Sequence, residues 1–249
     1  MATAYDDIGR VYRSRRRPDP RIAAQIVDAL GDADSVVNVG AGAGSYEPRD
    51  RPVVAVEPSP VMIGQRPDDA APVARGVAEA LPIPREGADA ALAILTVHHW
   101  AGQAGGLAEL MRVSRRQVVL CFDLDVSHAH WLVREYLPEI AAIEEARAAS
   151  PEWIAEHLDG ETRIEVVPVP ADCTDGFQNA YWRRPEQYLD PEVQACISTM
   201  AVLDHAALDR GLRALADDLA TGAWHARHAD LLELDEIDAG YRLVVANQP

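Results

Sequence analysis

Cysteine is scarce: Cys121, Cys173 and Cys196 lie far apart, with no C-x-x-C spacing. That usage argues against a zinc ribbon and against a disulfide framework, fits a reducing compartment, and leads us to expect a cytoplasmic protein. Long apolar runs are missing as well. The longest uncharged one, Ala90 to Val97, is far too short to cross a bilayer, and the stretch MATAYDDIGRVYRS has no hydrophobic region of the kind a secretory signal needs. Basic residues are outnumbered, with 23 Lys plus Arg against 40 Asp plus Glu and a formal net charge of -17. Such a field repels phosphate backbones and anionic lipid surfaces, so neither nucleic acid nor a membrane is expected as a partner. The one basic cluster, Arg13 to Arg17, is either a solvated face or a local anion contact. No internal repeat and no low-complexity tract interrupts the chain.

What is present suffices for one sizeable core: 249 residues, 48% of them hydrophobic, lead us to expect a single domain over 1–249. Within it, residues 1–30 form an N-terminal helical cap, where Pro18-Asp19-Pro20 opens a helix with Ile22, Ile26 and Leu30 on one face before Gly31. Ser35 to Val39 is a short β-branched run ending in the glycine string Gly40-Ala41-Gly42-Ala43-Gly44. A second run, Val53 to Val56, ends at Glu57. Further strands are expected near Val73, from Asp89 to Val97, from Gln117 to Phe122, and as a late pair, Arg163 to Val169 and Tyr241 to Ala246. Helices are expected from Gly105 to Val113 and from Trp131 to Ala149, which gives an α/β, doubly wound and mostly parallel sheet. Some 70 residues, Pro170 to Gly240, separate the last two strands where a hairpin would suffice, so 170–240 is a helical insertion. Its helical candidates are Pro191 to Met200 and Ala206 to Leu219.

Glycines where a parallel strand turns let a ligand approach the backbone with no Cβ in the way. Seventeen residues after Gly40, Glu57 ends the second strand, where a carboxylate can accept both hydroxyl protons of a ribose. Together they point to an adenosine-containing cofactor. A nicotinamide dinucleotide would require a third glycine or alanine where Ser45 stands, and a helix aimed at the pyrophosphate where Pro48 interrupts. An NAD-dependent oxidoreductase is thereby disfavoured.

Four ordered stretches, VVNVGAGAGSYEP, VVAVEPSPVMI, VAEALPIP and ADAALAILTVHHW, resemble the class I S-adenosylmethionine (SAM)-dependent methyltransferases, in particular the small-molecule group known as methyltransferase type 11. The resemblance implies a Rossmann-like seven-stranded sheet of order 3-2-1-4-5-7-6 with strand 7 antiparallel. It also implies SAM as cofactor, with S-adenosylhomocysteine (SAH) as product. On the matching positions, Gly40 and Gly42 would line the methionine half, Glu57 would bind the ribose diol and Met62 would pack on the adenine. Ala78 and Glu79 would lie beside the adenine amino group, and Thr96, Val97 and His98 would pass under the sulfonium. Asn38, Ala41 and Pro58 complete this set.

This chain departs from the pattern twice. The family commonly has an acid where Asn38 stands, and the helix after the glycine turn is cut to about one turn, leaving the cofactor carboxylate in want of a cation. Tyr12 and Arg17 are candidates to meet that want, since many relatives fold an N-terminal segment over the cofactor.

Methyl transfer is an in-line displacement on an activated sulfonium, so a protein supplies alignment, water exclusion and, for some acceptors, a base. His98 and His99 follow the fourth strand and Asp123 follows the fifth. Each is a candidate base, against packed imidazoles and a helix cap respectively. His128-x-His130 and His225-x-x-His228 lack neighbouring acids or thiols at ligand spacing, so no metal is expected. Tyr181 and Trp182 are candidate walls for a small-molecule methyl acceptor, with 170–240 acting either as a lid or as an accessory cap. A SAM- or nucleoside-binding module without catalysis is the alternative from another class.

Overall fold

The computed structural model describes residues 16–248. Its central sheet holds strands β1 (Val36–Val39), β2 (Val53–Glu57), β3 (Val73–Arg75), β4 (Ala90–Ile94), β5 (Arg116–Phe122), β6 (Glu161–Val166) and β9 (Tyr241–Asn247), while β7 (Val169–Pro170) and β8 (Glu236–Ile237) form a separate small ribbon. The sheet order is β3-β2-β1-β4-β5-β9-β6. Counting main-sheet strands alone, it is the expected 3-2-1-4-5-7-6. Strands β1 to β5 run parallel, and β9 enters antiparallel between β5 and β6, with Val118 opposite Val245 and Ile164 opposite Val244.

The central strands β1, β4, β5 and β9 are buried on both faces because adjacent residues feed different cores. Val36, Leu92, Val118 and Leu243 join one cluster, and Val37, Ala91, Val119 and Val244 join the other. Side chains alternate across a strand, so a continuous apolar run serves two layers, and each buried Val or Leu contributes roughly 1.5–3 kcal/mol. Helix α1 (Pro20–Leu30) covers the first face with Ile22, Ile26 and Leu30, starting as expected on an Asp19 cap that accepts from the Arg21 N–H at 3.0 Å. Helix α2 (Pro60–Ile63) follows β2. Helix α3 (Gln103–Val113) covers the second face with Leu107, Leu110 and Val113.

After β5 come α4 (Leu124–Ala129), a π-turn at Leu132–Tyr136, α5 (Glu139–Glu145) and α6 (Pro151–Glu156). The single helix expected over Trp131 to Ala149 is therefore broken: Leu137 donates to the Leu132 carbonyl, five residues back, and Pro138 has no N–H to carry the ladder on. The insertion holds α7 (Pro191–Cys196), α8 (Ser198–Val202), α9 (His205–Thr221) and α10 (Ala223–Arg227). Here too one expected helix, Pro191 to Met200, is two, parted at an extended Ile197. A third core joins the insertion to the segment after β5, with Trp131, Leu132, Tyr136 and Ile140 packed with Tyr188, Val193, Leu215 and Trp224.

The insertion is also tied to the start of the described chain. Asp19 accepts from the Thr174 N–H at 3.1 Å, and the Arg16 Nε donates to Asp175 at 2.6 Å. Among the described residues no helix is long and apolar enough to cross a membrane.

Candidate functional site

The glycine turn hangs on the end of β2. Gly40 and Ala41 both donate to the Val56 carbonyl, at 2.8 and 3.2 Å, and the Gly42 N–H donates to Glu57 Oε2 at 2.8 Å. Glu57 Oε1 accepts from the Ser59 N–H at 2.9 Å, so the carboxylate is buried and aimed by two backbone amides. A carboxylate has about four lone-pair directions, and these two amides take up two of them.

Gly40 adopts φ +67°, and a Cβ there would lie 2.0 Å from Thr96 Oγ1. Gly42 adopts φ +52°, and its Cβ would meet the Met62 methyl at 3.3 Å. The turn thus lies so close to Thr96 and Met62 that side chains would fill its cradle. With Gly44 and Tyr46 also at positive φ, the backbone cannot wind here. The single helical turn expected after the glycines is instead a run of non-helical turns.

These residues border a cavity of about 910 Å³ over the carboxyl ends of β1, β2 and β4. Asn38, Gly40, Ala41, Gly42, Glu57 and Pro58 line it, together with Met62, Ala78, Glu79 and Thr96. Glu79 is fixed there because its Oε1 accepts from the Gly102 N–H at 2.7 Å. Beneath the turn, Arg66 reaches Glu47 Oε1 at 2.7 Å and Oε2 at 2.8 Å, a nearly fully buried ion pair, and Asn38 Nδ2 donates to Glu47 Oε1 at 3.1 Å. The Asn38 Oδ1 is buried and has no hydrogen-bond partner among the described residues. A closely approached backbone, an apolar floor and an aimed carboxylate suit a nucleoside.

Other expected residues stand elsewhere. Val97 is packed in the core and does not line this cavity, and His98 lies outside it as well. Arg17 is exposed, and its neighbour Arg16 lines the large cavity instead, because the bridge to Asp175 gives this stretch a strand-like alternation. Tyr12 lies outside the described residues. Tyr46, not anticipated, also lines the cavity, its hydroxyl accepting from the Asp19 N–H at 3.2 Å.

A second, smaller cavity of about 70 Å³ adjoins the first. Arg16, Leu95 and His99 border both. Leu95 holds φ +49°, a conformation that costs a non-glycine residue about 1–3 kcal/mol and persists only where its surroundings impose it. The apolar walls are Phe122, Ile143, Phe177 and Tyr241, and the insertion adds Gln178 and Thr199.

His98 and His99 line the same cavity, their rings 3.8 Å apart. Burial lowers the His98 pKa well below the usual imidazole value, with His99 and Arg147 acting in the same sense. Burial and Arg147 bring His99 to about 4. Both imidazoles are neutral near pH 7, and burial disfavours their cationic forms.

Asp123 does not reach either cavity. It caps α4, accepting from the Asp125 N–H at 3.1 Å, and accepts from Arg242 at 3.3 Å. Tyr181 and Trp182 are buried in the core clusters, and the Trp182 Nε1 donates to the Val169 carbonyl at 3.0 Å, so neither forms a cavity wall. His128 pairs with Glu144 at 2.9 Å and His228 with Glu135 at 3.2 Å, while His130 is buried against Trp131.

A family model described as a methyltransferase domain matches residues 37–122. The structure superposes on that of a candidate methyltransferase from an antibiotic biosynthesis pathway of Anabaena variabilis with a TM-score of 0.84 at 30% identity, over 94% of this chain and 99% of that one. A SAM-dependent methyltransferase of Thermotoga maritima gives 0.56 at 15% identity, over 98% and 94%. The geranyl diphosphate C-methyltransferase of Streptomyces coelicolor, solved with its diphosphate, Mg2+ and SAH, gives 0.51 at 16% identity, over 91% and 78%. The last two likenesses are of fold alone. No curated protein matches the chain.

Proposed function

Since this chain belongs to the class I SAM-dependent methyltransferases, with SAM as its methyl donor, we propose that it methylates a small-molecule acceptor held in the smaller cavity. The carrying observation is the junction: Leu95, His99 and Arg16 border both cavities, so a donor in the large one and an acceptor in the small one meet there. Two adjoining compartments suit a two-substrate transfer better than a binding module, which needs only one.

In this reading Glu57 takes the ribose hydroxyls, while Gly40, Ala41 and Gly42 admit the methionine half. Met62 and Ala78 flank the adenine, with Glu79 at its edge. Arg16, steadied by Asp175, meets the donor's carboxylate. Bound donor supplies a methyl carbon made electrophilic by its sulfonium. The residues around the junction hold the acceptor atom in line with that carbon and exclude water, worth several orders of magnitude in rate. His98 and His99 line the smaller cavity in neutral form and are the candidate bases where the acceptor must lose a proton, acting against the burial that weakens them.

Incubating the protein with methyl-labelled SAM and fractionated metabolite extracts tests this reading. SAH together with a labelled product is the expected result. Uptake of SAM with no product from any fraction would favour the non-catalytic module.

A further inference from the structure

We infer that the acceptor carries a protonated amine, and that Glu144 in the smaller cavity is the residue that holds it. This rests on the proposal that this cavity is the acceptor site.

Glu144, on α5, is buried, yet it borders the cavity, where an apolar residue would be the cheaper choice for a helix face packed inside a protein. Among the described residues lining that cavity it is the one acid. Its Oε2 lies 2.9 Å from His128 Nε2, and the Gln178 amide stands beside it. These neighbours do not fully offset desolvation: burial still leaves the carboxyl pKa above the usual range, against the pull of His128 and Gln178. A cation arriving in the cavity supplies the missing compensation, and in a low-dielectric site that attraction is larger than at a surface.

The cavity's positive groups do not compete for this role. Arg16 is committed to Asp175, whose side chain is fully buried, and in the proposed function also to the donor. Arg147 keeps its side chain exposed, and its charge acts on His98 and His99 rather than on Glu144. Aromatic rings at Phe122, Phe177 and Tyr241 also tolerate a cation better than an anion, and the net charge of -17 draws cations toward the protein.

Because an ammonium has no lone pair, the anchored nitrogen is a handle and not the methylated atom. The nucleophile sits elsewhere on the molecule, toward Leu95 and His99, where the two cavities meet.

The test is titration calorimetry at pH 7 on protein saturated with SAH, using three probes small enough for the cavity: ethylamine, ethanol and acetate. Ethylamine is expected to bind at least tenfold more tightly than ethanol, with acetate weakest. In Glu144→Gln that preference should vanish while SAH affinity stays within twofold. If this variant does not fold, the ranking on the unaltered protein decides alone. Equal affinities, a preference for acetate, persistence of the amine preference in Glu144→Gln, or no probe uptake by SAH-loaded protein each overturn the proposal. A protein that takes up no SAH at all removes the methyltransferase function first, and this assignment with it.

Discussion

Asn38 Nδ2 donates to Glu47 Oε1 at 3.1 Å, directly under the glycine turn, while Arg66 grips both oxygens of the same carboxylate. This arrangement explains the amide at a position where the family commonly has an acid. A carboxylate there would be a second acceptor directly facing the first, and Arg66 bonds only the Glu47 side of the pair. Asn38→Asp is accordingly expected to cost about 2 kcal/mol, through a lost hydrogen bond and like-charge contact in a buried place. Urea unfolding at pH 7 measures it, and an unchanged midpoint would contradict the account.

Gly40 combines φ +67° with a 2.0 Å approach between its Cβ position and Thr96 Oγ1. Gly40→Ala must therefore push the turn away from β4. Stability should fall by about 1–3 kcal/mol, and SAH affinity by at least tenfold. Denaturant unfolding and calorimetry on the same preparation separate the two effects. Unaltered SAH affinity in a folded variant would mean that the turn does not border the donor.

The neutral imidazoles set an acid limit. Burial places the His99 pKa at about 4 and the His130 pKa at about 3, with His98 also well below 6.5, whereas an unfolded chain titrates near 6.5. Between those values the unfolded state binds more protons. The contribution is complete above about 6.5 and is lost as pH falls toward 4. The urea midpoint should be level from pH 7 to 8 and drop steadily below 6.5, less steeply in His99→Asn. A midpoint that holds constant down to pH 4.5 would contradict the burial of these rings.

Trp182 is fully buried, its Nε1 bonded to the Val169 carbonyl and its own carbonyl accepting from Trp131 Nε1 at 2.9 Å. Trp182→Ala should cost about 3–5 kcal/mol by leaving a cavity. Acceptor affinity of the surviving folded fraction should be unchanged, as measured by calorimetry after thermal melts. Weakened acceptor binding without destabilisation would restore the lid role.

The parts of the fold readable in advance are those where local pattern and tertiary role coincide. Val36 to Val39 is apolar on every position but Asn38, as a strand buried on both faces must be, and Gly40, Gly42 and Glu57 announce a nucleoside turn because their chemistry needs those residue types. Cavity walls carried no such signal. Glu144 and Gln178 are ordinary helix and loop residues until the chain brings them to one place, and Tyr181 and Trp182 look the same whether they face a ligand or a core. Arg16 and Arg17 differ by one position in a charge run, and only the pairing with Asp175 decides which one turns inward. Helix lengths failed where one residue, Pro138, ended the ladder within an otherwise periodic segment.

The central claim is that Glu57 and the glycine turn hold the donor's adenosyl group, and titration of the purified chain with SAH tests it most directly. One site per chain with micromolar affinity is expected, weakened at least tenfold in Glu57→Ala. Absence of binding at millimolar SAH by the folded protein, or equal affinity in the variant, would contradict it.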